Sequence, residues 1–171
     1  GTIYAIEAMK YLKDTEYVLK ITGQISDSEE DQKIWKYIQE NGLEKQIVFT
    51  GFRHGKELEE LISRATCIVC PAIWYENMPN TVIEAYAYGK PVVASRVGSL
   101  AEMVVDKKTG MLFRMKDAQD MAEKLQKFVL DDSLSEKLGR QAREKCEREY
   151  NEQQHMNRVI ASLQGSKMEE V

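Results

Sequence analysis

The sequence predicts an α/β domain with a mostly parallel sheet, on three observations. First, four short apolar runs have the length and β-branched character of buried strands: Tyr17-Val18-Leu19-Lys20-Ile21, Ile47-Val48-Phe49, Cys67-Ile68-Val69-Cys70 and Val92-Val93-Ala94. Second, helical periodicity fills the stretches between them. Third, the connections are short, with no internal repeat, low-complexity tract or interdomain linker. Strands alternating with helices in this way build βαβ units, whose parallel strands are buried on both faces. At 171 residues, 43% apolar and 30% charged, the chain is one domain with room for a proper core.

Composition narrows the function. Lys plus Arg is 24 against 28 Asp plus Glu, a net charge of −4, which argues against a general nucleic-acid binder. No apolar run approaches the roughly 20 residues needed to span a bilayer, and the start lacks the pattern of a signal peptide. The three cysteines, Cys67, Cys70 and Cys146, cannot all pair, which fits a reducing compartment. A cytoplasmic location is therefore expected. Cys67 and Cys70 have the spacing of a redox or metal pair, but strand positions three apart face opposite ways, so buried bystanders are expected.

In order, residues 2–12 read as a helix with Ile3, Ile6, Ala8 and Met9 on its apolar face. The strand at 17–21 ends at Thr22-Gly23-Gln24. Cap-type residues over 26–31 lead into a helix that carries Ile34, Trp35 and Ile38 and stops at Asn41-Gly42. The second strand turns at Thr50-Gly51-Phe52-Arg53-His54-Gly55, and Leu58, Leu61 and Ile62 mark a short helix. The third strand is stopped by Pro71. A helix follows from about Pro79, with Val82, Ile83, Ala85, Tyr86 and Ala87 as packing positions and Gly89 at its end. Pro91 opens the fourth strand. After it come helices over 117–130 and 133–149. The first of these turns Met121, Ala122, Leu125 and Phe128 inward. A frayed tail over 165–171 completes the chain.

Two carboxylates, Glu76 and Glu84, flank the turn from the third strand's loop into the next helix, with seven residues between them. The first turn of a helix leaves N–H groups unpaired, and its dipole end favours an anion. Carboxylates beside such an end can accept hydrogen bonds from sugar hydroxyls. Glu84 has a second reading, because Thr81-x-x-Glu84 is a capping-box pattern. Pro79 suits the first helical position instead, which would leave Glu84 free in the second turn; the residues alone leave both open. Glu76, in a loop with no helix to cap, is either a ligand group or a solvated acid. Trp74 and Tyr75 could wall a pocket or pack beside the strand end.

The run Glu84-Ala85-Tyr86-Ala87-Tyr88-Gly89-Lys90-Pro91-Val92-Val93-Ala94, with Glu76 ahead of it, resembles the Glu-x7-Glu signature of the family-four retaining glycosyltransferases. Gly98-Ser99-Leu100-Ala101-Glu102-Met103-Val104 resembles that family's Gly-Gly-x-x-Glu-x-Val turn, with Ser99 in place of the second Gly; 106–110 with Met111-Leu112-Phe113 resembles its next turn and short strand, and 153–163, carrying His155, resembles its closing helix. The resemblance implies a Rossmann-like three-layer α/β/α domain, the C-terminal, donor-binding half of a GT-B fold. It also implies that a first strand, with Arg and Lys phosphate contacts, belongs before Gly1. The N-terminal acceptor domain would lie further upstream. It implies a nucleoside-diphosphate sugar as donor, transferred with retention to a saccharide or lipid acceptor in polysaccharide or glycolipid biosynthesis. Membrane association, at the inner face, would run through the missing domain. Its site would use Glu76 at the transferred sugar and Glu84 at the ribose. Asn77, Met78, Pro79, Asn80 and Thr81 would meet the sugar and diphosphate, Arg53 and His54 the base, and Gly98 and Ser99 would line the donor. No metal or other cofactor is expected: no Asp-x-Asp motif occurs, and helix N–H groups would stabilise the leaving diphosphate. The resemblance further implies front-face attack, with a diphosphate oxygen as base. Two rivals stand beside this reading, a nucleotide-sugar epimerase of GT-B architecture and a non-catalytic nucleotide-sugar-binding module.

Overall fold

A computed structural model describes residues 1–23, 26, 28–151, 153, 154, 156, 160 and 161. Its elements run α1 (Thr2–Met9), a 3-10 turn (Lys10–Leu12), β1 (Leu19–Thr22), α2 (Glu29–Glu40), β2 (Ile47–Gly51), α3 (Lys56–Arg64) and β3 (Ile68–Cys70). They continue with α4 (Asn80–Ala87), β4 (Val92–Ser95), α5 (Gly98–Met103), β5 (Gly110–Phe113), α6 (Ala118–Leu130) and α7 (Asp132–Glu149). Among the described residues every ladder is parallel, as the alternation of strands and helices predicts. The strands form two sheets, β1-β2 and β3-β4-β5, with no ladder joining β1 to β3.

The three-layer arrangement follows from alternation along the buried strands. Val92 and Ala94 of β4 face one core with Val82, Ala85 and Tyr86 of α4. Val93, between them, faces the other with Met121, Ala122 and Phe128 of α6 and Ala5 and Ala8 of α1. A third cluster, from Ile6, Met9 and Leu12 to Ile38, Leu43 and Ile47, seats α2 beside the β1-β2 pair.

Local chemistry sets the ends of α4. Gly89 is left-handed (φ +63°); its N–H donates to Tyr86 O (2.9 Å) and the Lys90 N–H donates to Ala85 O (2.8 Å), the paired bonds of a Schellman stop. Tyr86 of α4 is fully buried. Its buried phenol sits 2.6 Å from Thr109 Oγ1 and 3.3 Å from the Met103 carbonyl, so the polar oxygen added to the core is satisfied.

Three expectations need correction. The first strand starts at Leu19, not Tyr17, because the Gln46 side-chain amide donates to the carbonyls of Leu12, Thr15 and Tyr17 and holds that stretch as a turn. Residues from Gly98 form the short helix α5 rather than a plain turn. Trp35 is 41% exposed, its ring 5.3 Å from that of Phe49, so it covers the sheet edge instead of entering the core. Of the expected closing helix over 153–163, the described Gln153, Gln154, Met156, Ile160 and Ala161 are helical. His155, the tail over 165–171 and Gln24 lie outside the described residues.

The cysteines are free, and burial pushes the Cys67 and Cys70 thiols up to about 12, with the charge of Cys70 adding to the shift of Cys67 and that of Glu76 to the shift of Cys70. The thiolate is the reactive form, so iodoacetamide at pH 8 should alkylate both on the order of a thousandfold more slowly than free cysteine. Labelling of either at the rate of free cysteine would revive the redox-pair reading.

Candidate functional site

Among the loops at the carboxyl ends of the parallel strands are 71–79 after β3, 96–97 after β4, and 52–55 after β2. The first carries Glu76 and leads into α4, which carries Glu84. Pro79 is the N-cap of α4, with extended backbone (φ −70°, ψ 110°), and no side chain caps the helix. The Val82 N–H donates to Pro79 O (3.0 Å). Ahead of it, the N–H groups of Asn80 and Thr81 have no intrahelical acceptor. The helix thus begins one residue later than the Pro79 start expected from sequence, and Thr81 lies inside it. The capping box is therefore not formed, and Glu84 projects from the second turn as an exposed carboxylate.

Glu76 is held from its backbone. Ser99 Oγ donates to the Glu76 carbonyl at 2.6 Å. Gly98, left-handed at φ +48°, lies so close that a Cβ there would stand 3.0 Å from Tyr75 Cδ1. The turn into α5 therefore clamps the loop where it carries Glu76. Sequence reasoning placed Gly98 and Ser99 against the donor; this role as an anchor for Glu76 it missed, because the contact spans 23 residues. The nearest signal was the left-handed demand that a glycine at such a turn implies. Trp74 (58% exposed), Tyr75 (83%) and Met78 (55%) stand out from the loop rather than packing beside the strand.

Thr81 and Glu84 also line one end of a groove of ≈800 Å³ that runs between β1 and β3, with Pro71 and Thr22 nearby. Arg53 and His54 are not in that lining. Arg53 pairs with Glu57 (3.2 Å), and exposed His54 stacks on Phe52 with ring centroids 6.4 Å apart. The structure thus joins Glu76 with Gly98 and Ser99, and Thr81 with Glu84. It leaves Arg53 and His54 on a separate loop at the same end of the strands.

A parallel α/β domain with its functional loops at the carboxyl ends of the strands uses the crevice in which doubly wound folds bind ligands. With helices on both faces of β4, this is the C-terminal type of domain of a GT-B glycosyltransferase. The family model described as glycosyl transferases group 1 matches residues 1–145, and the chain belongs to that family. It is 31% identical, over 95% of its length, to WcaL of Escherichia coli (strain K12), which carries the name of a colanic acid biosynthesis glycosyltransferase. It covers 41% of that protein, so it spans less than half the length of this curated relative. Sulfoquinovosyl transferase SQD2 of Arabidopsis thaliana is 35% identical over 59% of this chain and 20% of its own. Among solved structures, HepE of Anabaena in complex with UDP superposes with a TM-score of 0.83 at 22% identity, over 97% of this chain and 45% of that one. The C-terminal domain of the glycosyl transferase group 1 family protein LpcC from Francisella tularensis gives 0.79 at 26% identity, over 89% of this chain and 80% of that domain.

Proposed function

We propose that this chain is the donor-binding domain of a retaining glycosyltransferase. It holds a nucleoside-diphosphate sugar for transfer to a saccharide or lipid acceptor that another part of the full protein presents. The observation that carries this is the uncapped start of α4, where Glu84 is free for a ligand instead of tying down the helix. The diphosphate lies at the Asn80 and Thr81 N–H groups, where helix-end partial charge favours an anion without a metal ion. Glu84 accepts hydrogen bonds from the ribose hydroxyls, and Glu76 from the sugar to be transferred, at a position steadied by Ser99. Asn77, Met78 and Pro79 complete the wall, and Arg53 and His54 wait at the end of β2 for the base. HepE, the fold neighbour, is described with UDP and with UDP and glucose, which supports a uridine nucleotide as the first ligand to try. LpcC, crystallised as its C-terminal domain alone, supports treating residues 1–171 as one domain of a longer protein. Transfer then needs the acceptor hydroxyl within about 3–3.5 Å of the reacting carbon. The acceptor wall lies outside these residues, so the chain alone binds donor without transferring it.

The test is a protein-observed NMR titration of the 171-residue chain with UDP. We expect dissociation in roughly the high-micromolar range, about −5 to −6 kcal/mol, with the largest shifts over residues 76–84 and 98–99. Absence of any shift there at millimolar UDP would overturn the donor-site reading.

A further inference from the structure

The outer edge of β5 carries a concentration of charge that the donor site does not use. β5 is the outer strand of the β3-β4-β5 sheet. A cavity of ≈340 Å³, open to solvent, lies along that edge. Five cations line it: Arg96 from the loop after β4, Lys107 and Arg114 from the segments before and after β5, and Lys124 and Lys127 from α6. Two acids, Asp106 and Asp120, share it. Five cations against two acids leave +3, in a chain whose net charge is −4.

Both acids are already engaged. A strand at a sheet edge presents N–H groups that no neighbouring strand pairs. Here the Leu112 N–H donates to Asp106 Oδ1 (3.0 Å) and the Arg114 N–H to Asp120 Oδ2 (2.7 Å), so both carboxylates turn toward the β5 backbone. Each also steadies cations. Asp106 pairs with Arg96 at 3.4 Å, and Asp120 with Lys124 at 2.5 Å and with Arg114 Nε at 3.6 Å. What is left facing solvent is cationic. The Arg96 and Arg114 side chains are 55% and 74% exposed. Lys107 and Lys127 have no ion-pair partner among the described residues. Lys107 is also fixed at its backbone. Its left-handed φ of +62° is held by its N–H, which donates to the Gly110 carbonyl (2.8 Å), and this sets where its side chain starts.

Charges of one sign that converge on a cavity from three separate elements repel one another, and a bound anion relieves that repulsion. Guanidinium groups present several donors in a planar fork that matches the oxygens of phosphate. The volume falls at the small end of ligand cavities, enough for a phosphate or diphosphate with a small organic part.

We propose that the cavity along the outer edge of β5 is a second anion site, which takes a phosphate- or diphosphate-bearing molecule. Arg96, Lys107, Arg114 and Lys127 meet the anion, and Asp106 and Asp120 hold the cations in place. The inference is independent of the donor site, because no residue of α4 or of the 71–79 loop lines this cavity. A protein-observed NMR titration of the 171-residue chain with inorganic pyrophosphate tests it, since the two sites are read at different residues. We expect one set of shifts over 76–84 and a separate set over 106–114 and 124–127, the second with dissociation in roughly the millimolar range. Lys107→Asn with Lys127→Gln should weaken the second set about fivefold or more and leave the first unchanged. Asparagine is chosen because it tolerates the left-handed conformation. Removing two exposed charges elsewhere, by Lys33→Gln with Lys45→Gln, should change neither set. If the first double variant does not melt like the parent, each single change should still weaken the second set about twofold. Co-sedimentation with phosphatidylcholine vesicles containing about one third phosphatidylglycerol separates two sources of the phosphate. Capture of the parent but not of the Lys107→Asn, Lys127→Gln variant assigns it to a lipid headgroup. Pyrophosphate shifts without capture, or with capture that the variant does not reduce, assign it to a soluble molecule. No shift over 106–114 and 124–127 up to about 10 mM pyrophosphate overturns the proposal, as does equal weakening by the two double variants. Absence of the 76–84 shifts alone would count only against the donor reading.

Discussion

In an active protein containing this domain, Glu76→Ala should lower turnover about ten- to a hundredfold with nucleotide affinity little changed, and Glu84→Ala should weaken nucleotide binding by a similar factor. The split follows from placement. Glu76 lies in the loop clamped by Ser99 and Gly98, proposed at the sugar that carries the reacting carbon, whereas Glu84 rises from the second turn of α4, proposed at the ribose. A hydrogen bond to a charged group contributes about 1.5–3 kcal/mol, which sets the size of each loss. Because Glu84 caps no helix, neither change should move the melting midpoint beyond the usual surface effect of about 0.5 kcal/mol. Steady-state kinetics, UDP calorimetry and thermal melts on the two variants read all three quantities. Equal thermal destabilisation with unaltered UDP affinity would return Glu84 to a structural role and sink the assignment.

Gly139→Ala should destabilise the domain by about 2 kcal/mol or more, a drop of ~4–8 °C in melting midpoint for a chain of this size. Two effects compete. Glycine inside an exposed helix costs about 1 kcal/mol relative to alanine, so the substitution would help an isolated α7. In the fold, however, the new Cβ would stand 2.0 Å from the Gly89 carbonyl oxygen and 3.0 Å from its carbon. That carbonyl cannot swing aside. Gly89 is committed to the left-handed stop of α4, and Pro91 leads straight into β4. Overpacking a rigid site costs about 1–3 kcal/mol or more, which exceeds the helical gain. Stabilisation by about 1 kcal/mol, read by a thermal or urea melt, would show that α7 does not seat against the end of α4. The Arg143 guanidinium, which donates to the Ala87 carbonyl, marks the same contact one turn further along α7.

Local spacing carried much of this reading. The strands at Val92-Val93-Ala94 and Ile68-Val69-Cys70 are legible because an apolar β-branched run between turn residues has few other uses. The end of α4 is legible because Gly89 can take the left-handed conformation that other residues resist. The start of α4 was legible only to within one residue. Proline satisfies both the N-cap and first-turn positions, and the choice depends on the ψ angle that the loop from Pro71 delivers. Trp35 failed the periodic reading because its helix packs at the end of the sheet, where an inward position can still reach solvent.

By itself the sequence determined the order of strands and helices, the parallel sense of the pairing and the residues that carry the family signature, because propensity and side-chain period act over a few neighbours. The tertiary structure alone decided the rest. Ser99 reaches the carbonyl of Glu76, Gly139 meets Gly89, and β1 lies across a groove from β3. Each of these joins residues far apart along the chain, and a contact of that kind leaves no period in either partner. It exists only once packing has brought the two backbones together.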